Sequence, residues 1–296
     1  MRSLLRGRRL RAAACTALLG ATVLGLGAAP ASAAPTSSAD PGTRYYLALG
    51  DSLAAGYQSL PGGGSEVGHG YAQDLAATLG QRAVQDGHPF SFTDLGCPGE
   101  TTGSMINGGC PYPHPYYDSQ LDAAIAFLTT HRHDDVLVTL DIGANDIGGC
   151  ATAESVDAAC AAKGIATAGW DLGTILSRLN AAAGPHTRIV GMNLYDPFLA
   201  AWLTGVPGKV VAGVSVPVAD ALNATLDLAD ALHGVPTADV AKAFSTNSFL
   251  PLVPLDGQQV PLNVARIMDW TNMARGDIHA NDAGYQVIAD TFLAEL

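Results

Sequence analysis

Ser52 closes the tripeptide Gly50-Asp51-Ser52, directly after the apolar run RYYLALG (44–50). A serine hydroxyl is a poor nucleophile until a base takes its proton, so a histidine partner is the first requirement. Taken alone, the tripeptide is better read as a strand-to-helix turn in which Asp and Ser cap. The nucleophile-elbow pattern G-x-S-x-G is not matched, because Leu53-Ala54 follows Ser52. Gly99, in DLGCPGETT, offers a backbone N–H with no side chain beside it, suited to an oxyanion, or a plain Pro-Gly turn. Asn145, in DIGAND, offers a side-chain NH2 as a second donor, or an Asn turn or helix cap. The chain has eight histidines: His69, His88, His114, His131, His133, His186, His233 and His279. His131 and His133 resemble a metal pair but sit at a helix end, where imidazole complements the dipole, and no acid cluster completes a site. His279, in GDIHANDAGY, stands immediately before the last helical pattern, where it can swing in beside Ser52.

These residues need elements to position them. Apolar runs at 44–50, 89–96, 134–143 and 187–195 read as strands, with a weaker one near 238–244. Helical spacing occupies 71–83, 119–131, 171–183, about 217–233, and 281–296, where Asn281 or Asp282 can cap. Strand and helix in alternation predict a parallel sheet with helices on both faces. Such sheets carry their sites beyond the carboxyl ends of the strands, at the switch point of strand order. Ser52, Gly99 and Asn145 all follow predicted strands. In a sheet of order 2-1-3-4-5, Gly99 and Asn145 flank Ser52.

Together GDSLAAGY, LGCPGETT, GAND and DIHANDAGY resemble, in order and spacing, the four sequence blocks of GDSL-type SGNH hydrolases, in particular secreted actinobacterial esterases and lipases. The resemblance runs from about Tyr45 to Leu296. It implies a flavodoxin-like α/β/α three-layer sandwich and ester hydrolysis with no metal and no cofactor. It also implies that Ser52 is the nucleophile, His279 the base, and the Ser52 and Gly99 N–H groups with the Asn145 side chain the oxyanion donors. One position departs from the pattern. The acid usual three residues before the histidine is Gly276 here, and Asp277 stands two before. Either Asp277 orients His279 after a local adjustment, or a Ser–His dyad uses a backbone carbonyl such as that of Gly276; the dyad is the reading favoured by the sequence.

Arg2, Arg6, Arg8, Arg9 and Arg11 precede an apolar stretch to about Ala29, and Ala31-Ser32-Ala33 fits a signal-peptidase site. A removed signal peptide is expected over 1–34, exported by the general secretory route, then a short linker over 35–43 and one domain over 44–296. Removal takes five arginines from the fifteen basic residues and leaves ten against twenty-seven acids, a net charge of −17. That acidity argues against nucleic acid and anionic membrane surfaces as partners. The expectation is a secreted monomer with a small-molecule or lipid ester as its substrate and no stable membrane insertion. A carbohydrate O-acetyl ester and a non-catalytic secreted binding module are the alternatives. Cys97, Cys110, Cys150 and Cys160 remain after leader removal and read as two disulfides. Local pairing, 97 with 110 and 150 with 160, closes short loops. No CxxC pair supports a zinc site. Tyr57, Tyr71, Tyr112, Tyr116 and Tyr117 are candidates for lining an acyl groove or for plain packing.

Overall fold

Five strands form the central sheet: β1 (Arg44–Gly50), β2 (Phe90–Asp94), β3 (Asp135–Asp141), β4 (Thr187–Met192) and β5 (Thr237–Ala238). Every pairing is parallel and the order is β2-β1-β3-β4-β5. The computed structural model describes residues 42–60, 62–116, 118–152 and 155–296. The signal peptide expected over 1–34, most of the expected linker and Tyr117 therefore lie outside the described residues. β1 and β3 are near-continuous apolar runs because helices cover both faces of a parallel sheet.

The helices are α1 (Tyr71–Gln85), α2 (Thr102–Asn107), α3 (Gln120–Thr130), α4 (Ala144–Ile147), α5 (Ala158–Ala182), α6 (Val206–Leu232), α7 (Val240–Ala243), α8 (Leu262–Trp270) and α9 (Asp282–Leu293). α1 packs on α9, while α3, α5 and α6 pack in series, so the sheet is sandwiched between two helical layers. The sheet order puts the ends of β2 and β3 on either side of the end of β1. That arrangement carries Gly99 and Asn145 to the neighbourhood of Ser52. Cys97–Cys110 and Cys150–Cys160 are paired as the local reading anticipated. Loops this short are each expected to contribute about 3 kcal/mol by restricting the unfolded chain.

Three elements differ from their sequence expectation. α5 begins at Ala158 rather than 171, because the Asp157 carboxylate caps it by accepting from the Ala159 and Cys160 N–H groups (both 3.0 Å). α6 begins at Val206 rather than near 217 and runs through Pro217. Pro217 looks like a helix start in sequence, but packing on α5 and on the 3₁₀ segment Pro197–Thr204 outweighs the missing hydrogen bond. The fifth strand stops at Ala238, since Asp239 caps α7 by accepting from Lys242 N–H at 3.1 Å.

α6 also buries an acid. Asp230 lies against Gly191 of β4, with Oδ2 accepting from the Thr237 hydroxyl at 2.8 Å and Oδ1 without a partner among the described residues. Burial pushes its carboxyl up to about 7. The folded state thus holds this proton more tightly than the unfolded chain, and stability is lost as pH rises from the unfolded value through about 7. Asp230→Asn should match wild type near pH 4 and exceed it at pH 8 by roughly 2–4 kcal/mol in urea unfolding. Equal differences at both pH values would contradict the assignment.

Candidate active site

β1 ends at Gly50 because nothing larger fits. Its φ is +144°, and a Cβ would lie 2.2 Å from the Asp141 carbonyl oxygen of the neighbouring strand. With β2 already ended, the Gln120 side chain takes the place of a strand partner. Gly50 N–H donates to Gln120 Oε1 at 2.7 Å, and Gln120 Nε2 donates back to the Gly50 carbonyl at 2.9 Å. The next peptide turns inward, and Asp51 N–H donates to the Asp141 carbonyl at 3.2 Å.

Asp51 and Asp141 are both buried, and their carboxyls meet beneath Ser52. Asp51 Oδ1 accepts from Leu53 N–H (3.0 Å) and from the Ser52 hydroxyl (3.3 Å). The Tyr71 hydroxyl donates to Asp141 Oδ1 at 2.5 Å. Burial raises both acids, and the Asp51 charge raises Asp141 further, so Asp141 is the member that keeps a proton. Ser52 itself is 8% exposed, and its N–H has no acceptor among the described residues.

Gly99 occupies the third position of the turn Cys97-Pro98-Gly99-Glu100, closed by Glu100 N–H donating to the Cys97 carbonyl at 3.0 Å. With φ +84° this is a turn that glycine favours. The Gly99 N–H also lacks an acceptor among the described residues. The two anticipated readings, turn and N–H donor, are therefore compatible. Asn145 sits in the first turn of α4, and its amide donates to the Glu100 carbonyl (2.9 Å) and, more loosely, to Asp51 Oδ2 (3.3 Å). Glu100 is buried, with Oε2 accepting from the Tyr116 hydroxyl (2.8 Å) and Gln120 Nε2 (3.0 Å). Cys97, Glu100 and Cys110 bring ligand-type atoms together, but both sulfurs belong to the disulfide.

His279 is held by its loop. Its carbonyl accepts from Asn272 N–H (2.8 Å), and the Tyr195 hydroxyl donates to the preceding Ile278 carbonyl (2.8 Å). His279 Nδ1 lies 2.5 Å from Asp277 Oδ1, whose other oxygen accepts from Ser59 N–H at 3.1 Å. Burial would raise the Asp277 carboxyl, but the hydrogen bonds from His279 and Ser59 and the imidazole charge prevail and hold it below the usual carboxylate range. The group behind the imidazole is thus a carboxylate, in place of the backbone carbonyl that the sequence reading favoured. Asp277 N–H donates to the Asn272 carbonyl (3.3 Å), and that turn aims the carboxylate at Nδ1 from two residues upstream. With Nδ1–H donated to Asp277, Nε2 is the acceptor tautomer.

Ser52, Asn145 and His279 line one cleft of about 930 Å³ measured out to open solvent. Gly99 is not among its lining residues, and Ser52 and His279 share no hydrogen bond in this state. The remaining wall is mostly apolar, with Ile147, Leu194, Pro197, Phe198, Val218 and Leu222 prominent. Of the tyrosines weighed for lining a groove or for packing, Tyr57, Tyr71, Tyr112 and Tyr116 are not among the lining residues. Tyr71 and Tyr116 are buried on Asp141 and Glu100, and Tyr57 faces the His279 ring at 4.5 Å with Tyr112 beyond it. Sequence reasoning missed Asp141, Gln120, Glu100 and the wall of Pro197, Phe198, Val218 and Leu222. An acid ending the apolar run VLVTLD was the one available signal.

Residues 48–287 match the GDSL-like Lipase/Acylhydrolase family. A comparison with curated protein sequences finds no match. Among solved structures, the chain is similar to an extracellular lipase from Streptomyces rimosus (TM-score 0.55, 20% identity, covering 86% of this chain and 100% of that one). It is also similar to phospholipase A1 from Streptomyces albidoflavus NA297 (0.51, 20%, 86% and 100%). The acetylxylan esterase Axe2 from Geobacillus stearothermophilus is a third (0.50, 14%, 87% and 96%). At these identities the likeness shows the fold.

The Asp277 geometry has a kinetic consequence. Asp277→Asn keeps the shape but removes the ionised acceptor that fixes the tautomer, so kcat on p-nitrophenyl esters should fall by about 10²–10⁴-fold. Turnover within about twofold of wild type would reinstate the dyad.

Proposed function

The chain belongs to the GDSL-like lipase/acylhydrolase family, and from that premise we propose that this carboxylic ester hydrolase works outside the cell through a Ser52–His279 acyl-enzyme. Rotation about Ser52 χ1 takes the hydroxyl from its long contact with Asp51 to His279 Nε2. Ser52 Oγ then attacks the ester carbonyl carbon while Nε2 takes the proton. The negative charge on the carbonyl oxygen is met by the Ser52 and Gly99 N–H groups, both lacking competing acceptors among the described residues. The Asn145 amide joins them by exchanging its 3.3 Å contact with Asp51 for the oxyanion. Each such donor is worth about 2.7–4 kcal/mol in the transition state. His279 returns the proton to the leaving alcohol, and water, deprotonated by the same nitrogen, releases the acid and restores Ser52.

One observation carries the substrate reading. The wall beside Ser52 is apolar over Ile147, Leu194, Phe198, Val218 and Leu222, which suits an acyl chain of several carbons better than an acetyl group. Lipid or medium-chain acyl esters are therefore the substrate class, ahead of sugar O-acetyl esters. The basic and apolar N-terminal sequence and two disulfides support an extracellular location.

Ser52→Ala should abolish turnover to below about one part in 10³ and prevent labelling by a fluorophosphonate. Unlabelled wild type would instead support a binding module. Across p-nitrophenyl acetate, butyrate, octanoate and decanoate, kcat/KM should rise beyond the acetate. A maximum at acetate together with acetyl release from xylan would overturn the substrate class.

A further inference from the structure

α6 is apolar where it should be polar. Its first three turns expose Val206, Lys209, Val210, Gly213, Val214 and Pro217, spaced as one face of a helix, while Val211, Ala212 and Val216 are buried on the other side. A surface helix ordinarily turns charged residues outward. Here Val206 is 76% exposed and Val210 61%. The face extends onto a second element, because the Trp202 ring packs on Phe249 with centroids 5.7 Å apart. That contact brings up Leu250, 74% exposed, and the exposed Leu252. Such a collection of outward aliphatic groups marks an interaction surface rather than scattered exposure.

Charge identifies the occupant. From Pro197 to Ala219 the single charged residue is Lys209, and there is no acid, in a chain with twenty-seven acids and fifteen basic residues. Lys209 Nζ stands 5.0 Å from the centre of the Trp202 ring. A cation and an indole beside a band of aliphatic groups match the phosphate level and outer acyl region of a lipid layer. The same two elements continue into the cleft, where Pro197 and Phe198 from one and Val218 and Leu222 from the other line the wall beside Ser52.

We propose that the exposed face of α6 around Val206, Val210 and Val214, with Leu250 and Leu252, seats on a zwitterionic lipid surface. The helix lies flat in the interface rather than crossing it, since its opposite face is packed in the fold. Docking in this way delivers acyl chains along the wall of Pro197, Phe198, Val218 and Leu222 to Ser52. The inference rests on the lipid-ester reading of the cleft, but it is tested by binding and not by turnover.

The secreted form of the Ser52→Ala protein, which cannot consume its target, is mixed with phosphatidylcholine vesicles and sedimented. It should partition to the vesicles, and adding Val206→Ser, Val210→Ser and Val214→Ser should weaken that partition by about tenfold or more. In the Ser52 background, the three serine substitutions should leave p-nitrophenyl butyrate hydrolysis within about twofold, reporting an intact cleft. Equal partition of both proteins, or none for the parent, overturns the docking surface. So does light scattering that shows a dimer dispersed by the serine substitutions without vesicle binding, since the occupant is then a second copy. Soluble-ester turnover retained alongside failed vesicle binding overturns docking alone; its absence in the Ser52 protein overturns the catalytic reading alone.

Discussion

Everything at the site depends on how the peptide of Gly50 is held. A parallel strand leaving a sheet exposes backbone groups that must find partners, and burial makes an unpaired one cost about as much as a lost hydrogen bond. Gly50 satisfies its groups through one side chain, with Gln120 accepting from its N–H and donating to its carbonyl. Cys97 N–H donates to that same carbonyl at 3.1 Å. The turn that carries Gly99 is thus joined to the turn that carries Ser52. Gln120 also donates to Glu100, and Glu100 offers its own carbonyl to Asn145. Gly99, Asn145 and Ser52 are therefore tied through a few buried hydrogen bonds. Loosening Gln120 would shift all three at once, which is how networks of this kind couple positions that are distant in sequence.

Electrostatics adds a second constraint. Two carboxyls cannot both ionise in one buried pocket, and the surroundings decide which does. Asp51 accepts from Leu53 N–H, the Ser52 hydroxyl and the Asn145 amide, all of which favour its anion. Asp141 is left with the Tyr71 hydroxyl and the Asp51 N–H, and carries the proton. The anion then faces the side on which the proposed acyl transfer makes His279 cationic, and the imidazole charge in turn lowers Asp51. Asp277 supports the imidazole directly, whereas Asp51 acts across the cleft floor while holding the serine hydroxyl at rest.

The strand ends were readable because a buried parallel strand writes itself as an uninterrupted apolar run, and RYYLALG and DVLVTLD do so. The strand-end rule then brought Gly99, Asn145 and Ser52 to one edge without any contact being known. Residues acting through side-chain geometry were not readable in this way. Gln120 opens α3 with no mark that its amide replaces a strand partner, and Glu100 resembles any loop acid. Asp277 was visible, but which of two adjacent residues points at Nδ1 depends on a turn whose hydrogen bonds run back to Asn272. The apolar wall was lost for another reason. Helical spacing marks this helix only from about 217, which cut α6 at the point where its cleft-lining residues meet its exposed face.

That cut matters because α6 also anchors the wall of the cleft. Beyond Asp220 its outward positions include Ala221, Ala224, Leu228 and Leu232, and the buried Leu222, Asn223 and Leu226 anchor it. Asn223 does so by accepting from Leu194 N–H (2.9 Å) and donating to the Leu194 carbonyl (2.8 Å). This is the same device by which Gln120 holds Gly50, applied to the chain just beyond the end of β4. An amide side chain thus replaces a strand partner twice along one sheet edge, once under Ser52 and once under the wall of the cleft. Rigid backbone on both sides fixes the distance between Ser52 and the apolar wall. Acyl-chain preference should then follow from the side chains of that wall more than from its movement.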